Sequence, residues 1–303
     1  MVSFKGTTSV IAASALVLTF VAPAHATQGT DSEHESLTLD AIASVAPEVL
    51  EEAVGQLADG PVVLEEKTSD TSIVVQSDPE AGIDVSVGDT EITIGLPNAG
   101  VASSAEEIGA SLVAFDNQDG SSTVPLVRDG GELQIVTVIA EEDAPERYEY
   151  QLELSQGVHL ELLPDGRAVV VDSADEIVVG LFEKPWARDA EGADVATYFT
   201  VEGSTLVQAV EHAGASYPVL ADPFWIPALG LVARWTAHAL AQQAARNIST
   251  AAIRAALQEG RRVAGNQAGT SVFSHNGVRV VVNNRTGAII TVTRYIGGGG
   301  GGV

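Results

Sequence analysis

The sequence predicts an α+β chain overall: an N-terminal all-β sandwich-like module, then a small ααβββ domain with an antiparallel sheet. Three observations carry this. Between Val62 and Leu220, short apolar segments of strand length recur, separated by Gly, Asp and Asn turns. After Pro227 the pattern becomes helical and then returns to strands. The charge reverses at the same place. From Leu231 to Val303, eight arginines face the single acid Glu259, giving +7, whereas everything before Leu231 carries −33.

Residues 1–26 read as an export signal. Lys5 precedes the apolar run Val10 to Val21, and Ala24-His25-Ala26 is a small-x-small cleavage site. The run is too short for a membrane span of about 20 residues, and Pro23 follows it. A secreted or cell-wall-associated protein is expected, with no stable membrane insertion once the signal is removed. The absence of cysteine excludes a disulfide framework and a thiolate metal site. No metal and no cofactor are expected.

Residues 27–60 form an acidic, partly helical segment. Thr27 to Glu35 is polar enough to stay disordered. Leu39, Ile42, Leu50, Val54 and Leu57 then recur at near-helical spacing, with a break expected near Pro47. Residues 61–223 form the β module, in which Asp116 to Gly120 reads as a turn because it lacks the ligand spacing of a calcium loop. The run Pro185 to Gly192, followed by Tyr198, Gly203, Leu206 and Tyr217 to Pro223, resembles a module of secreted actinobacterial proteins of no assigned activity. That likeness speaks to compartment rather than chemistry.

Residues 224–296 form the basic domain, and 297–303 a glycine tail. The stretch from Phe224 to Arg246 reads as helix after Pro227. Ser249 caps a second helix, Thr250 to Glu259, which Gly260 ends. Asn276-Gly277 predicts a tight hairpin that sets His275 opposite Val278 and Phe273 opposite Val280. A third strand follows from Ala288 to Tyr295. If Ile290 and Val292 face the helices, the hydroxyl of Thr291 faces outward beside Arg279. His275 then sits at the rim of the core face, away from Thr291. Trp235, Phe273 and Tyr295 read as packing residues.

On the first helix, His238, Gln242 and Arg246 are spaced i, i+4, i+8 and share one face. Histidine moves protons near neutral pH and arginine holds phosphate, so the stripe suits a phosphodiester. A packed histidine and a helix-terminal arginine give the same spacing.

The pieces His238-Ala239, Arg246 to Ser249, Ala256-Leu257 with Gly260, Val278 to Asn283 and Thr286 to Val292 resemble a small bacterial domain. That domain is similar to the barnase/RelE-like, metal-independent ribonuclease toxin superfamily. The resemblance implies a toxin-like endoribonuclease with His238, Arg246 and Thr291 catalytic and Gln242, Arg279 and Arg294 binding substrate. His238 would shuttle the proton of the ribose 2′-hydroxyl. Arg246, with Arg279 or Arg294, would stabilise the charge on phosphorus. Gln242 departs from the family, which often has arginine there. The implied partners are RNA and either an acidic immunity protein or the chain's own acidic region. The competing expectations are a non-catalytic module binding a polyanion or cell-wall polymer, and a degenerate nuclease fold kept for packing.

Overall fold

The computed structural model describes residues 28–58, 60–228 and 234–295, and side chains from Leu37 onward. The signal-like residues 1–26 and the glycine tail lie outside the described residues. Most of the ordered structure is strand, 47% against 14% helix, in three antiparallel sheets.

An 8-stranded sheet runs in the order Gln56–Leu57, Val62–Lys67, Thr71–Gln76, Ile83–Val87, Thr90–Ile94, Arg147–Leu154, Thr205–Val210, Thr197–Glu202. Several of its strands alternate in burial. In Thr71–Gln76, for example, Thr71, Ile73 and Val75 are buried and the residues between them are not. Such alternation is what a sheet with one covered face produces.

The central strands of the 10-stranded sheet are covered on both faces. Its main path runs Val158–Leu162, Ala168–Asp172, Ile177–Phe182, Phe224–Pro227, Glu132–Ile139, Ser121–Arg128, Leu112–Asp116, Glu106–Gly109. Trp186–Arg188 and Val219–Asp222 attach beside it. Ser121 to Val127 and Leu133 to Ile139 are buried without interruption, because successive side chains meet different layers. Leu133, Ile135, Phe182 and Trp225 pack towards the 8-stranded sheet. Val124, Leu126, Val136 and Val138 pack on the opposite side against Ile42, Val45 and Val49. Those three belong to helices α1 (Gln28–Val45) and α2 (Glu48–Glu51), which break at Ala46-Pro47 as expected. The stretch from Gln28 to Glu35, expected to be disordered, is helical.

Phe224–Pro227 corrects the reading of that segment as the approach to a helix. It is a strand between Ile177–Phe182 and Glu132–Ile139, so the expected boundary at 223/224 falls inside the sheet. Trp225 is fully buried. A Cβ on Gly180 would lie 2.2 Å from its indole, so the neighbouring strand gives up a side chain to seat it.

The C-terminal unit contains helix α3 (Ala237–Ala245) and helix α4 (Thr250–Glu259) on a 4-stranded sheet, Arg261–Ala264, Thr270–His275, Val278–Asn283, Ile289–Arg294. The fold-class expectation is thereby corrected. The described chain is mainly β rather than α+β, and its last region is built on a β-sheet rather than as an ααβββ domain. The unexpected strand arises because Gly260 leaves α4 in extended geometry (φ −72°, ψ 151°). Arg261 to Ala264 then pair with Ser274 to Ser271.

Trp235 joins this unit to the β module. It is 2% exposed, in a cluster with Val169, Val171, Val178 and Leu181 on one side and Leu240, Ile253 and Ile289 on the other. Its carbonyl accepts from the Val178 N–H at 2.8 Å. Trp235→Ala should lower unfolding free energy by about 3–5 kcal/mol, the usual cost of removing a buried aromatic. Urea unfolding followed by circular dichroism measures it, and a loss below about 1 kcal/mol would refute the joint.

Asp222 is 1% exposed, and burial pushes its carboxyl up to about 7 against hydrogen bonds from Gln134 and Trp186 and the Arg128 charge. The folded state therefore holds a proton that the unfolded state releases near pH 4. Stability contributed here falls as pH rises from about 4 to about 7. Asp222→Asn should match wild type in Tm near pH 4 and exceed it increasingly towards pH 8. A pH-independent difference in thermal melts would contradict this.

Candidate functional site

Thr236 caps α3, its hydroxyl accepting from the Ala239 N–H at 3.2 Å. Ala239 and Leu240 bury one face of the helix against the sheet. The opposite stripe, His238-Gln242-Arg246, lies along the last strand. Gln242 is its hub. The Thr291 hydroxyl donates to Gln242 Oε1 at 2.7 Å, and Arg246 Nη1 donates to the same oxygen and to the Val292 carbonyl. Both contacts at Oε1 are donors, so the amide nitrogen faces His238, 2.7 Å from its Nε2. An NH2 group can only donate. Nε2 therefore accepts, and the neutral ring carries its proton on Nδ1.

The hairpin register is as the Asn-Gly turn predicts, His275 opposite Val278 and Phe273 opposite Val280. The third strand is not a simple alternation. A register shift between Val281 and Val282 pairs Val281 with Thr291 and Val282 with Ile289. Ile289 and Val292 therefore enter the core, and Ile290 is half-buried on the open side. The expectation that Ile290 faces the helices is corrected by this bulge. Thr291 still lies on the face that carries Arg279.

That face forms a groove of ≈ 630 Å³ lined by His238, Arg279, Thr291, Gln267, Ser274 and Ile290, among others. Three of the six expected site residues, His238, Arg279 and Thr291, thus meet at one open surface. Gln242 supports two of them from behind. The other two arginines are turned to the protein. Arg294 Nε donates to the Arg246 carbonyl at 3.0 Å and its Nη2 to the Asn247 carbonyl, which caps the C-terminus of α3. Arg246 is bonded as described above. Arg279 is exposed, with its guanidinium 5.5 Å from the Tyr295 ring centroid. His275 contacts Asn276 at 2.9 Å and Glu259 at 3.7 Å. Asn266, Gln267 and Ser274 were not anticipated. The alternation of Thr270, Val272 and Ser274 could have indicated the last of these, since those residues share the groove face.

The acidic module touches the basic unit without covering the groove. Asp175 pairs with Arg285, and Arg167 donates to the Leu240 carbonyl at 3.3 Å. A second cavity of ≈ 540 Å³ runs between the two units, with Glu161, Glu176 and His159 facing His238 across it. The groove is lined by C-terminal residues alone. Among the described residues, no group of three or more His, Asp or Glu side chains is placed to hold a metal ion. No helix among them is long and apolar enough to cross a membrane.

No family model matches the chain, and no curated protein matches it.

The hub makes a spectroscopic prediction. Gln242→Leu removes the donor to His238 Nε2, and the ring should move from the Nδ1–H tautomer towards the Nε2–H form that dominates for a free imidazole. Imidazole 15N chemical shifts at pH 8 report this directly. An unchanged tautomer in the variant would show that Gln242 does not set it.

Proposed function

We propose that the C-terminal unit is a metal-independent ribonuclease module carried by an exported, toxin-like protein. The observation that supports it is the convergence of His238, Thr291 and Arg279 on one open groove. In this reading an RNA strand lies along the sheet, with Arg279 holding a phosphate. The resting His238 uses its Nε2 lone pair on the Gln242 amide. Substrate entry must displace that donor before the ring can take the 2′-hydroxyl proton. The hydroxyl then attacks its own phosphate, and the protonated ring returns the proton to the leaving 5′-oxygen. Arg246 acts as a positioning residue, because its guanidinium fixes the Gln242 carboxamide. An acidic protein placed over the groove would be a natural inhibitor. The chain's own acidic module contacts the unit from the side.

A second reading is favoured by the guanidiniums of Arg246 and Arg294, both engaged with protein oxygens. A groove with fewer cations free for a phosphorane suits polyanion binding without cleavage.

Incubating the full chain with an RNA oligonucleotide in excess EDTA separates the two. Cleavage is expected, with none of the all-2′-deoxy analogue. His238→Ala should keep the fold and lose about 10²–10⁴-fold in rate. A folded His238→Ala protein with full activity would place the chemistry elsewhere. Salt-sensitive RNA binding with no cleavage would establish the binding reading.

A further inference from the structure

A second site lies on the β module, away from the groove and independent of its proposed function. A cavity of ≈ 310 Å³ opens beneath α2, with Asp222 and Gln134 lining it and Trp186 and Phe224 as apolar walls. Two guanidiniums border it. Arg128 lies 5.1 Å from the Phe224 ring centroid and Arg188 lies 5.7 Å from that of Trp186. Stacking of this kind fixes the plane of a guanidinium and presents its N–H edge. Each edge holds one carboxylate from α2 or its C-terminal flank: Arg188 Nη1 donates to Glu48 Oε1 at 3.1 Å, and Arg128 Nη1 donates to Glu52 Oε2.

We propose that this cavity binds a small aliphatic dicarboxylate, which takes the two arginine seats now held by Glu48 and Glu52. The glutamate side chains are 61% and 65% exposed, against 35% for Arg188 and 12% for Arg128, so each carboxylate can swing into solvent while the guanidinium stays in place. Glu48 and Glu52 are one helical turn apart, a separation of about 5–6 Å between Cβ atoms. Their carboxylates reach the two guanidiniums from one short helix and its flank, so two carboxylates on a short aliphatic linker can address both seats. The volume holds about ten waters at ~30 Å³ each, and Val49, Trp186 and Phe224 offer a surface for the methylenes. Lys184 adds a third cation to the lining. The shielded Nε–H of Arg128 has no acceptor in the protein. A single tetrahedral anion or a monocarboxylate would fill only one seat.

The floor makes binding proton-linked. Asp222 is faced by Gln134, by Trp186 and by the charge of Arg128. Glu48, Glu52, Glu183, Lys184 and Arg188 complete the charged lining. Burial already pushes Asp222 up to about 7. An added dianion disfavours its ionised form further, so binding should tighten as pH falls from 8 to 6.

Isothermal titration of the full chain with glutarate tests this, with butyrate and inorganic phosphate as controls. Saturable one-to-one binding of glutarate is expected, at least tenfold tighter than either control. The Glu48→Gln/Glu52→Gln double variant should bind more tightly, because the internal competitors are gone. Arg188→Gln, at the exposed rim, should weaken binding about tenfold without unfolding the protein. Asp222→Asn should bind glutarate with the pH dependence removed. Three results would each overturn the proposal: no glutarate binding by the folded double variant, phosphate or butyrate binding as tightly as glutarate, or an Asp222→Asn variant that keeps the pH dependence.

Discussion

Trp235 is held from both sides, and the position of the whole C-terminal unit follows from that. Its carbonyl takes the N–H of Val178 in the large sheet, at 2.8 Å. The adjoining Arg234 carbonyl and Thr236 N–H bracket Ile289 of the small sheet, at 2.8 and 3.0 Å. A backbone hydrogen bond contributes about 0.5–1.5 kcal/mol net. Removal of a buried aromatic costs about 3–5 kcal/mol. The indole therefore stabilises the joint more than any one of these bonds, and the hydrogen bonds fix its direction. Because Thr236 also caps α3, the same three residues aim the helix that carries His238, Gln242 and Arg246.

This joint lies on one half of a face whose central strands are covered. The other half receives α1 and α2, while the reverse of the sheet takes the 8-stranded sheet. The wholly buried strands of the large sheet follow from this arrangement. It also explains what the sequence concealed. Strands with one wet face announce themselves by alternation, as in Arg147–Leu154, where Tyr148, Tyr150 and Leu152 are buried between exposed neighbours. Phe224–Pro227 has no such alternation in its sequence and runs towards a helical stretch, so pattern alone could not separate it from a helix approach. Arg261–Ala264 fails for the opposite reason. All four residues are exposed, and only pairing with Thr270–His275 makes them a strand. The bulge at Val281/Val282 is invisible too, because parity arguments assume an unbroken ladder.

The site was more legible than its energetics. Helical spacing placed His238, Gln242 and Arg246 on one stripe, and the turn type fixed the hairpin register. What spacing could not show is where each guanidinium ends. A charge of +7 suggests a surface of available cations. Yet Arg294 and Arg246 bind carbonyls at the end of α3 and in the neighbouring strand. Arg234 donates to the Thr286 carbonyl at 3.3 Å, and Arg285 pairs with Asp175. Much of the arginine content is therefore structural. Short helices and edge strands leave unsatisfied carbonyls, and arginine, with five donors, can satisfy two at once.

Gln242 ties the stripe to the strand beside it. An arginine at this position would set a second cation beside Arg246 and could not accept from Thr291. The carboxamide does what a cation cannot. One oxygen gathers Thr291 and Arg246, and one nitrogen holds His238. The stripe is thereby a closed network in the resting protein, with its proton acceptor engaged by a neutral donor rather than by a charge. A neutral amide–imidazole hydrogen bond contributes about 1 kcal/mol net. The network thus orders His238 at the groove without a charged contact.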